Sequence, residues 1–596
     1  MHGGYRDSYA LDETATAYDL EQTPADLVAL SFSDSDLGAF AVGWHRANGT
    51  LPTLRLANLV ALRHPMSVDT YIDATLADAK GILIRLIGGE SYWSYGLSQV
   101  RELAQRRGIA LAVLPGDGRE DTQLDAFSTL PVSTLRRLSV LCDAGGALAA
   151  QAALAQLALA AGLYAGPVQG EKIVPDYGWY DFTRGVVAEP IPTDRPLVVV
   201  TFYRSYLTAA DTEPVDALIG AFRSRGFDAI GLFVPSLKAS GATEWTRETL
   251  RKLAPAAVVN ATAFSARGDD GTSPLDAPGC PVFQVALSTA RKRDWAASDR
   301  GLSSADLAMH VVLPELDGRI FAGVTSFKSP GKRDPDLQYS RFAHRADQAR
   351  IEAVADRVTG WHRLATTPAP SRKLVLVLST YPGRADQMAH AVGLDALAST
   401  EAILSDLAKD GYAITNGAPL AAELSSRTLV WPTQEYRTAL ASLPQPLQDA
   451  LTAAWGDPEA DPTIRDGAFH FAALLRGNTL IALQPERGEV SSRDAEYHDL
   501  ARTPRHGYVA FYLWLRAQQI HALVHVGAHG TLEWLPGKSV ALSESCWPDA
   551  LTAGLPIIYP FIVNDPGESA QAKRRIGAVT LGHLPPPQIA SAMPAG

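Results

Sequence analysis

At 596 residues the chain is too long for one hydrophobic core, so three or four domains are expected. Apolar residues make up 46% and charged residues 20%, an ordinary globular mixture, and the net charge of −11 gives no general attraction to nucleic acid or an anionic membrane. Cys142, Cys280 and Cys546 are few and far apart, which excludes a disulfide framework and a CxxC metal site and suits a reducing, cytoplasmic setting.

Met1 to Thr23 is polar and acidic, without a basic start leading into an apolar stretch, so no secretion signal is read there. Leu27–Ser31 reads as a strand, and Ser35-Asp36-Leu37 begins a helix that Asn48-Gly49 ends. Helices are expected over 67–80 and 98–107, with strands at Gly81–Ile87 and Ile109–Leu114. This alternation predicts crossover units on a mostly parallel sheet. The loop Gly88-Gly89-Glu90-Ser91-Tyr92-Trp93 follows a strand; its aromatics either line a site for a flat ligand or pin the loop. Ala147–Gly166 is the most apolar window, but Gln151 and Gln156 interrupt it and alanine favours insertion little. It reads as a packed helix rather than a membrane span.

Three prolines between Val186 and Pro196 mark a boundary, after which Leu197–Phe202 and Ile230–Val234 read as strands around a helix near 215–224. Ala257–Asn260 and Val282–Val285 continue the pattern, and Ala365–Ser371 marks a second boundary. The expected architecture is α/β and multidomain, with several mostly parallel Rossmann-like sheets flanked by helices. Its units are placed at 1–185, 196–366 and 372–596.

The third region carries most of the candidate chemistry. Strand Leu480–Leu483 delivers Gln484, Glu486 and Arg487, and Pro504-Arg505-His506-Gly507-Tyr508 opens an aromatic-rich helix. That helix feeds the segment from His521 to Lys538, which begins as an apolar run and opens at Gly527 and Gly530. His521, His525 and His529 are evenly spaced and fall on one face if the strand persists that far. The glycines then let His529, Glu533 and Lys538 converge beyond the strand's end, where open α/β sheets bind ligands. Imidazole and carboxylate suit a borderline divalent ion such as cobalt or zinc, and equally suit proton acceptance. Histidines inside an apolar run are ordinarily hydrogen-bonded core residues, and His521 and His525 fit that description too.

Two further patterns have plainer meanings. Gly537-Lys538-Ser539 is not a phosphate loop, because the first glycine of that motif is replaced by Leu532; ATP use is therefore assigned to another polypeptide. Asp565-Pro566-Gly567-Glu568 reads as a helix capping box, and Lys573-Arg574-Arg575 further along that helix is either a solvated face or a site for carboxylates.

The stretch Val524–Lys538, with Leu542–Pro548, Tyr559–Glu568 and Ala572–Ile576, resembles the chelatase family that contains the large subunits of aerobic cobaltochelatase (the CobN type) and magnesium chelatase. Pro504–Tyr508, Gly88-Gly89 with Tyr92-Trp93, and Val392–Asp395 extend the resemblance over essentially the whole chain, and Trp534-Leu535 favours the cobalt branch. Tyr381–His390 departs from the family's pattern. Family members are about twice as long, so this sequence corresponds to an N-terminal half.

The resemblance implies insertion of Co²⁺, as substrate, into hydrogenobyrinic acid a,c-diamide. ATP would be hydrolysed by an AAA+ subunit acting with a companion subunit, and neither a membrane nor a nucleic acid is involved. It further implies that His529 and Glu533 accept protons or escort the metal, with His525 as ligand or support. Lys538, Arg487 and Arg574 would meet the ring's carboxylates, His506 would line the pocket, and Trp534 or Trp93 would stack on the ring. A non-catalytic tetrapyrrole carrier or sensor, and magnesium chelation of protoporphyrin IX, stand as the alternatives.

Overall fold

The computed structural model describes residues 17–118, 121–190, 193–268, 270–379, 390–391, 394–488, 499–527, 530–560 and 566–581. Strands β1 (Leu27–Ser31), β2 (Leu54–Asn58), β3 (Gly81–Leu86) and β4 (Ala110–Pro115) form an all-parallel sheet in the order β2-β1-β3-β4. Both faces are covered by apolar clusters, which is why these strands read as apolar runs rather than alternating ones.

The alanine-rich window is the helix Gly146–Ala160, packed against the helix Asp34–Arg46. A Cβ at Gly43 would stand 2.7 Å from the Gln151 nitrogen and 2.8 Å from the Ala147 carbonyl, so small residues let the two backbones touch. No helix among the described residues is long and apolar enough to cross a membrane. Strand β2 is hard to see in the sequence, because Arg55 breaks its apolar run. That side chain is nonetheless buried, donating to the carbonyls of Thr23, Leu54 and Asp336, acceptors that tertiary structure alone supplies.

The second sheet contains β5 (Gly178–Asp181), β6 (Gly185–Val187), β7 (Leu197–Tyr203), β8 (Asp228–Val234), β9 (Ala257–Asn260), β10 (Val282–Ser288), β11 (Ile320–Pro330) and β12 (Phe342–Ala346). Their order is β12-β11-β10-β9-β7-β8-β5-β6, parallel from β11 through β8 with antiparallel edges. The hairpin β5–β6 joins this sheet by pairing with β8, so residues on the N-terminal side of Val186 already belong to it.

The helix Gln348–Thr366 leads into the third sheet. Here β13 (Leu374–Leu378) is followed by a short antiparallel pair, β14 (His390–Ala391) and β15 (Leu394–Asp395). A small antiparallel sheet follows, from β16 (Leu429–Pro432), β17 (Ile464–Arg465) and β18 (Ala468–Phe471). The main sheet is completed by β19 (Ala473–Arg476), β20 (Thr479–Leu483), β21 (Ala522–Val526), β22 (Ile557–Pro560) and β23 (Val579–Leu581), in the order β19-β20-β13-β21-β22-β23. The expected α/β architecture of several mostly parallel sheets with flanking helices is the one observed. In the third sheet β13 connects towards β20 on one side and β21 towards β22 on the other, so the carboxyl ends of β13 and β21 meet at a topological switch point, where open α/β sheets bind ligands.

Candidate functional site

The ends of β20, β13 and β21 are level, with Leu378 paired to both Leu483 and Val526. Gln484, Ser379 and Gly527 therefore emerge side by side at the carboxyl edge of the sheet. A Cβ at 527 would lie 1.8 Å from the Ser379 hydroxyl, so any larger residue there would have to turn that hydroxyl away. His525 is the penultimate residue of β21 and is 1% exposed. Its Nε2 lies 3.2 Å from Gln484 Oε1, and its ring packs on Tyr559 of β22 at 4.7 Å between centroids.

Beyond the strand, Thr531 leads into a single 3-10 turn, Leu532–Trp534, that turns Glu533 back into the protein. Glu533 is 1% exposed. Its Oε1 accepts the Gly530 N–H at 3.0 Å, and its Oε2 accepts the Tyr559 hydroxyl at 2.8 Å. Arg575 donates to the Glu533 carbonyl and, at 2.9 Å, to that of Lys538, holding the turn from behind. A methyl group at Gly530 would stand 2.6 Å from the Tyr559 hydroxyl, 2.8 Å from His525 Nε2 and 3.0 Å from Glu533 Oε2. Three polar groups from three elements thus face one point.

The wall behind them is the helix His506–Ala517, buried from His506 to Leu515, which places Tyr508 and Tyr512 one turn apart. The Tyr508 and Thr531 hydroxyls are hydrogen-bonded at 2.7 Å, Gln484 donates to the same Thr531 hydroxyl, and Tyr512 donates to Gln484 Oε1 at 3.2 Å. Burial pushes the Glu533 carboxyl above the ordinary glutamate range, opposed by the donors from Tyr559 and Gly530 and by the Arg575 charge. Burial and the neighbouring carboxylate push the Tyr559 hydroxyl well above an ordinary phenol, so it remains a donor.

The structure brings Glu533 and His525 together, with half-buried Trp534 beside them in sequence. His529, the segment Tyr381–Ala389, His498 and Asp565 lie outside the described residues. His521 does not join the cluster. β21 begins after it, and at that opposite end its Nδ1 accepts the Lys373 N–H at 3.0 Å. Four other expected site residues are engaged elsewhere. The Lys538 ammonium is buried against the second sheet's loops, donating to the carbonyls of Ala296 at 3.0 Å and Ser298 at 2.7 Å, 5.1 Å over the Trp295 ring. Arg574 pairs with Glu315 at 2.8 Å. Arg487 donates to the carbonyls of Asp499 and Arg502, closing its own loop. His506 bridges the Tyr436 hydroxyl and the Gly456 carbonyl, and burial lowers its basicity.

Trp93 is 5% exposed, with its N–H on the Leu62 carbonyl. Long cations and lone imidazoles look the same in sequence whether they face a ligand or a backbone carbonyl. Sequence reasoning misses Tyr559, Thr531, Tyr508 and Tyr512. The sequence signals for them are the i, i+4 spacing of Tyr508 and Tyr512 on an aromatic helix and the place of Tyr508, Thr531 and Tyr559 inside the segments that resemble the chelatase family. Among the described residues no group of three or more His, Cys, Asp or Glu side chains is placed to hold a metal ion.

Residues 144–594 match the CobN/Magnesium Chelatase family. The chain belongs to that family. Relatives include the aerobic cobaltochelatase subunits CobN of Sinorhizobium sp, 38% identical over 96% of this chain and 47% of that protein, and of Pseudomonas aeruginosa, 36% identical over 95% and 47%. The chloroplastic magnesium-chelatase protein ChlH of Oryza sativa is 28% identical over 71% of the chain and 31% of that protein. Among solved structures, the catalytic subunit of cobaltochelatase from Mycobacterium tuberculosis superposes with a TM-score of 0.78 at 31% identity, covering 95% of this chain and 48% of that one. The chain spans about half the length of the curated relatives it matches.

Proposed function

We propose that this chain supplies the tetrapyrrole-handling crevice of an ATP-dependent cobaltochelatase that inserts Co²⁺ into hydrogenobyrinic acid a,c-diamide for cobalamin synthesis. ATP is hydrolysed by an AAA+ partner acting with its companion subunit. The cobalt branch is favoured over magnesium because the CobN relatives are more similar, over more of the chain, than the magnesium-chelatase ones.

The observation that carries the proposal is the convergence of Glu533 Oε2, His525 Nε2 and the Tyr559 hydroxyl beside Gly530. Chelation must remove two inner N–H protons as the divalent ion enters. A buried carboxylate whose proton affinity is raised, yet which keeps two donors, can take such a proton. His525, its Nε2–H donated to Gln484 Oε1 and its ring packed on Tyr559, supports the pocket beside Glu533. His529, which precedes Gly530 in the sequence, is proposed as a further proton acceptor or metal escort. Trp534 presents a face on which the ring stacks.

The test is reconstitution of the whole chain with the ATPase subunits, ATP and Co²⁺, following the absorbance change of the corrinoid on metal insertion. Quenching of tryptophan fluorescence by the corrin precursor, and weaker quenching by protoporphyrin IX, is expected beforehand. Tight ring binding without turnover under these conditions would instead mark a carrier or sensor.

A further inference from the structure

Past Glu533 the chain does not stay in the third sheet's own packing. From Lys538 to Ala541 it is built into the loop that follows β10 of the second sheet. The Ser539 N–H donates to the Asp299 carbonyl at 2.8 Å. Val540 and Ala541 are buried in one apolar cluster with Trp295, Leu302, Val324 and Phe327 of the second sheet. Gly301, at φ +88°, lets the two backbones meet, because a Cβ on it would stand 2.0 Å from the Val540 carbonyl.

Trp295 is at the centre of this seam. It lies buried on the helix Lys292–Ala297, with its ring against Phe327 at 4.8 Å between centroids. Its Nε1–H donates to the Ala541 carbonyl at 2.8 Å, and the Lys538 ammonium stands 5.1 Å over its ring. One side chain of the second sheet thereby touches both ends of the segment 538–541. On the crevice side the same segment is tied to Glu533. The Lys538 carbonyl accepts Arg575 Nε at 2.9 Å, Arg575 also donates to the Glu533 carbonyl, and the Lys538 N–H donates to Cys546 Sγ at 3.3 Å. A close-packed interior passes a shift along such a chain of contacts rather than absorbing it.

We propose that Trp295 is a positioning residue for Glu533, acting across the seam between the second and third sheets through Ala541 and Lys538. Its part is to hold the far end of the turn, so the second sheet completes the crevice on the third. The structural link stands without the chelation reading, whereas its consequence for turnover rests on that reading.

Hydrogen exchange of the full chain reports the turn directly. The Gly530 N–H is held by Glu533 Oε1, the Trp534 N–H by the Thr531 carbonyl at 3.1 Å, and the Lys538 N–H by Cys546. Trp295→Phe keeps an aromatic ring beneath Lys538 and leaves the buried Ala541 carbonyl without its donor. It should speed exchange of a 530–538 peptide about 10-fold. In the reconstituted complex it should lower kcat about 10-fold with KM for the corrin ring unchanged. In the Glu533→Gln background it should cost no further turnover, because both changes act through one carboxylate. A tryptophan that only supports its own sheet would loosen β10 and β11 and leave 530–538 exchanging at the parental rate, which would overturn the proposal. A full further loss of turnover in Glu533→Gln would do the same, as would parental kcat in Trp295→Phe where Glu533→Gln has lost turnover. Parental turnover in Glu533→Gln sinks the chelation reading instead, and exchange at 530–538 then decides the structural link alone. If Trp295→Phe fails to fold, Lys538→Met cuts the same link from the other side, and parental exchange at 530–538 in that variant overturns the proposal.

Discussion

Glu533→Gln is the sharpest test of the crevice. The substitution keeps size and shape, and the amide oxygen can still accept the Gly530 N–H now seen at 3.0 Å. The amide nitrogen replaces Oε2, and the Tyr559 hydroxyl, now a donor at 2.8 Å, can rotate to accept instead. The change also removes a buried negative charge that burial disfavours, while taking a countercharge from Arg575. These terms oppose one another, so stability should move by no more than about 1 kcal/mol. Losing a positioned base costs about 10²–10⁴-fold in rate.

The expected result is therefore near-parental Tm, retained ring binding and at least a roughly 100-fold loss of cobalt insertion in the reconstituted complex. The pH dependence adds a second check. Since the Glu533 carboxyl is raised in the folded protein, chelation should fall as pH drops through that raised value, and Glu533→Gln should flatten this limb. The stability contribution runs the other way. It is fully present below the ordinary glutamate range and lost as pH rises through the raised folded value. Parental turnover in Glu533→Gln, or loss of turnover only because the protein unfolds, would refute the base assignment.

Gly530→Ala should lower both turnover and stability, the latter by about 1–3 kcal/mol in denaturant melts, because its methyl would push between three polar groups at 2.6–3.0 Å. Tyr559→Phe deletes a donor to the carboxylate. It should move the acid limb of the chelation profile about one pH unit upward, since a hydrogen bond to the charged form is lost. Lys538→Met should lower Tm, by about 1–3 kcal/mol of stability, and leave ring affinity in the fluorescence titration unchanged, because its ammonium ties Ala296 and Ser298 rather than a ligand.

Parallel strands buried on both faces read as apolar runs, and β1, β3, β7, β8, β13, β20 and β21 are legible for that reason. The glycine-punctuated stretch around Gly527 and Gly530 is legible too, because glycines stand where Ser379 and the polar trio approach the backbone. The edge hairpin β5–β6 is not, since antiparallel edge strands gain their stability from a partner far along the chain. By itself the sequence determined the fold class, because it follows from local patterning of apolar runs and glycines, and it pointed to the end of the third sheet where Glu533 and His525 come together. Which of its polar residues face that crevice was decided by tertiary structure. The direction of a long side chain depends on which acceptor comes within hydrogen-bond reach. For Lys538, Arg574, Arg487 and His506 that acceptor was a carbonyl, carboxylate or hydroxyl elsewhere in the fold, while for Tyr559 it was Glu533.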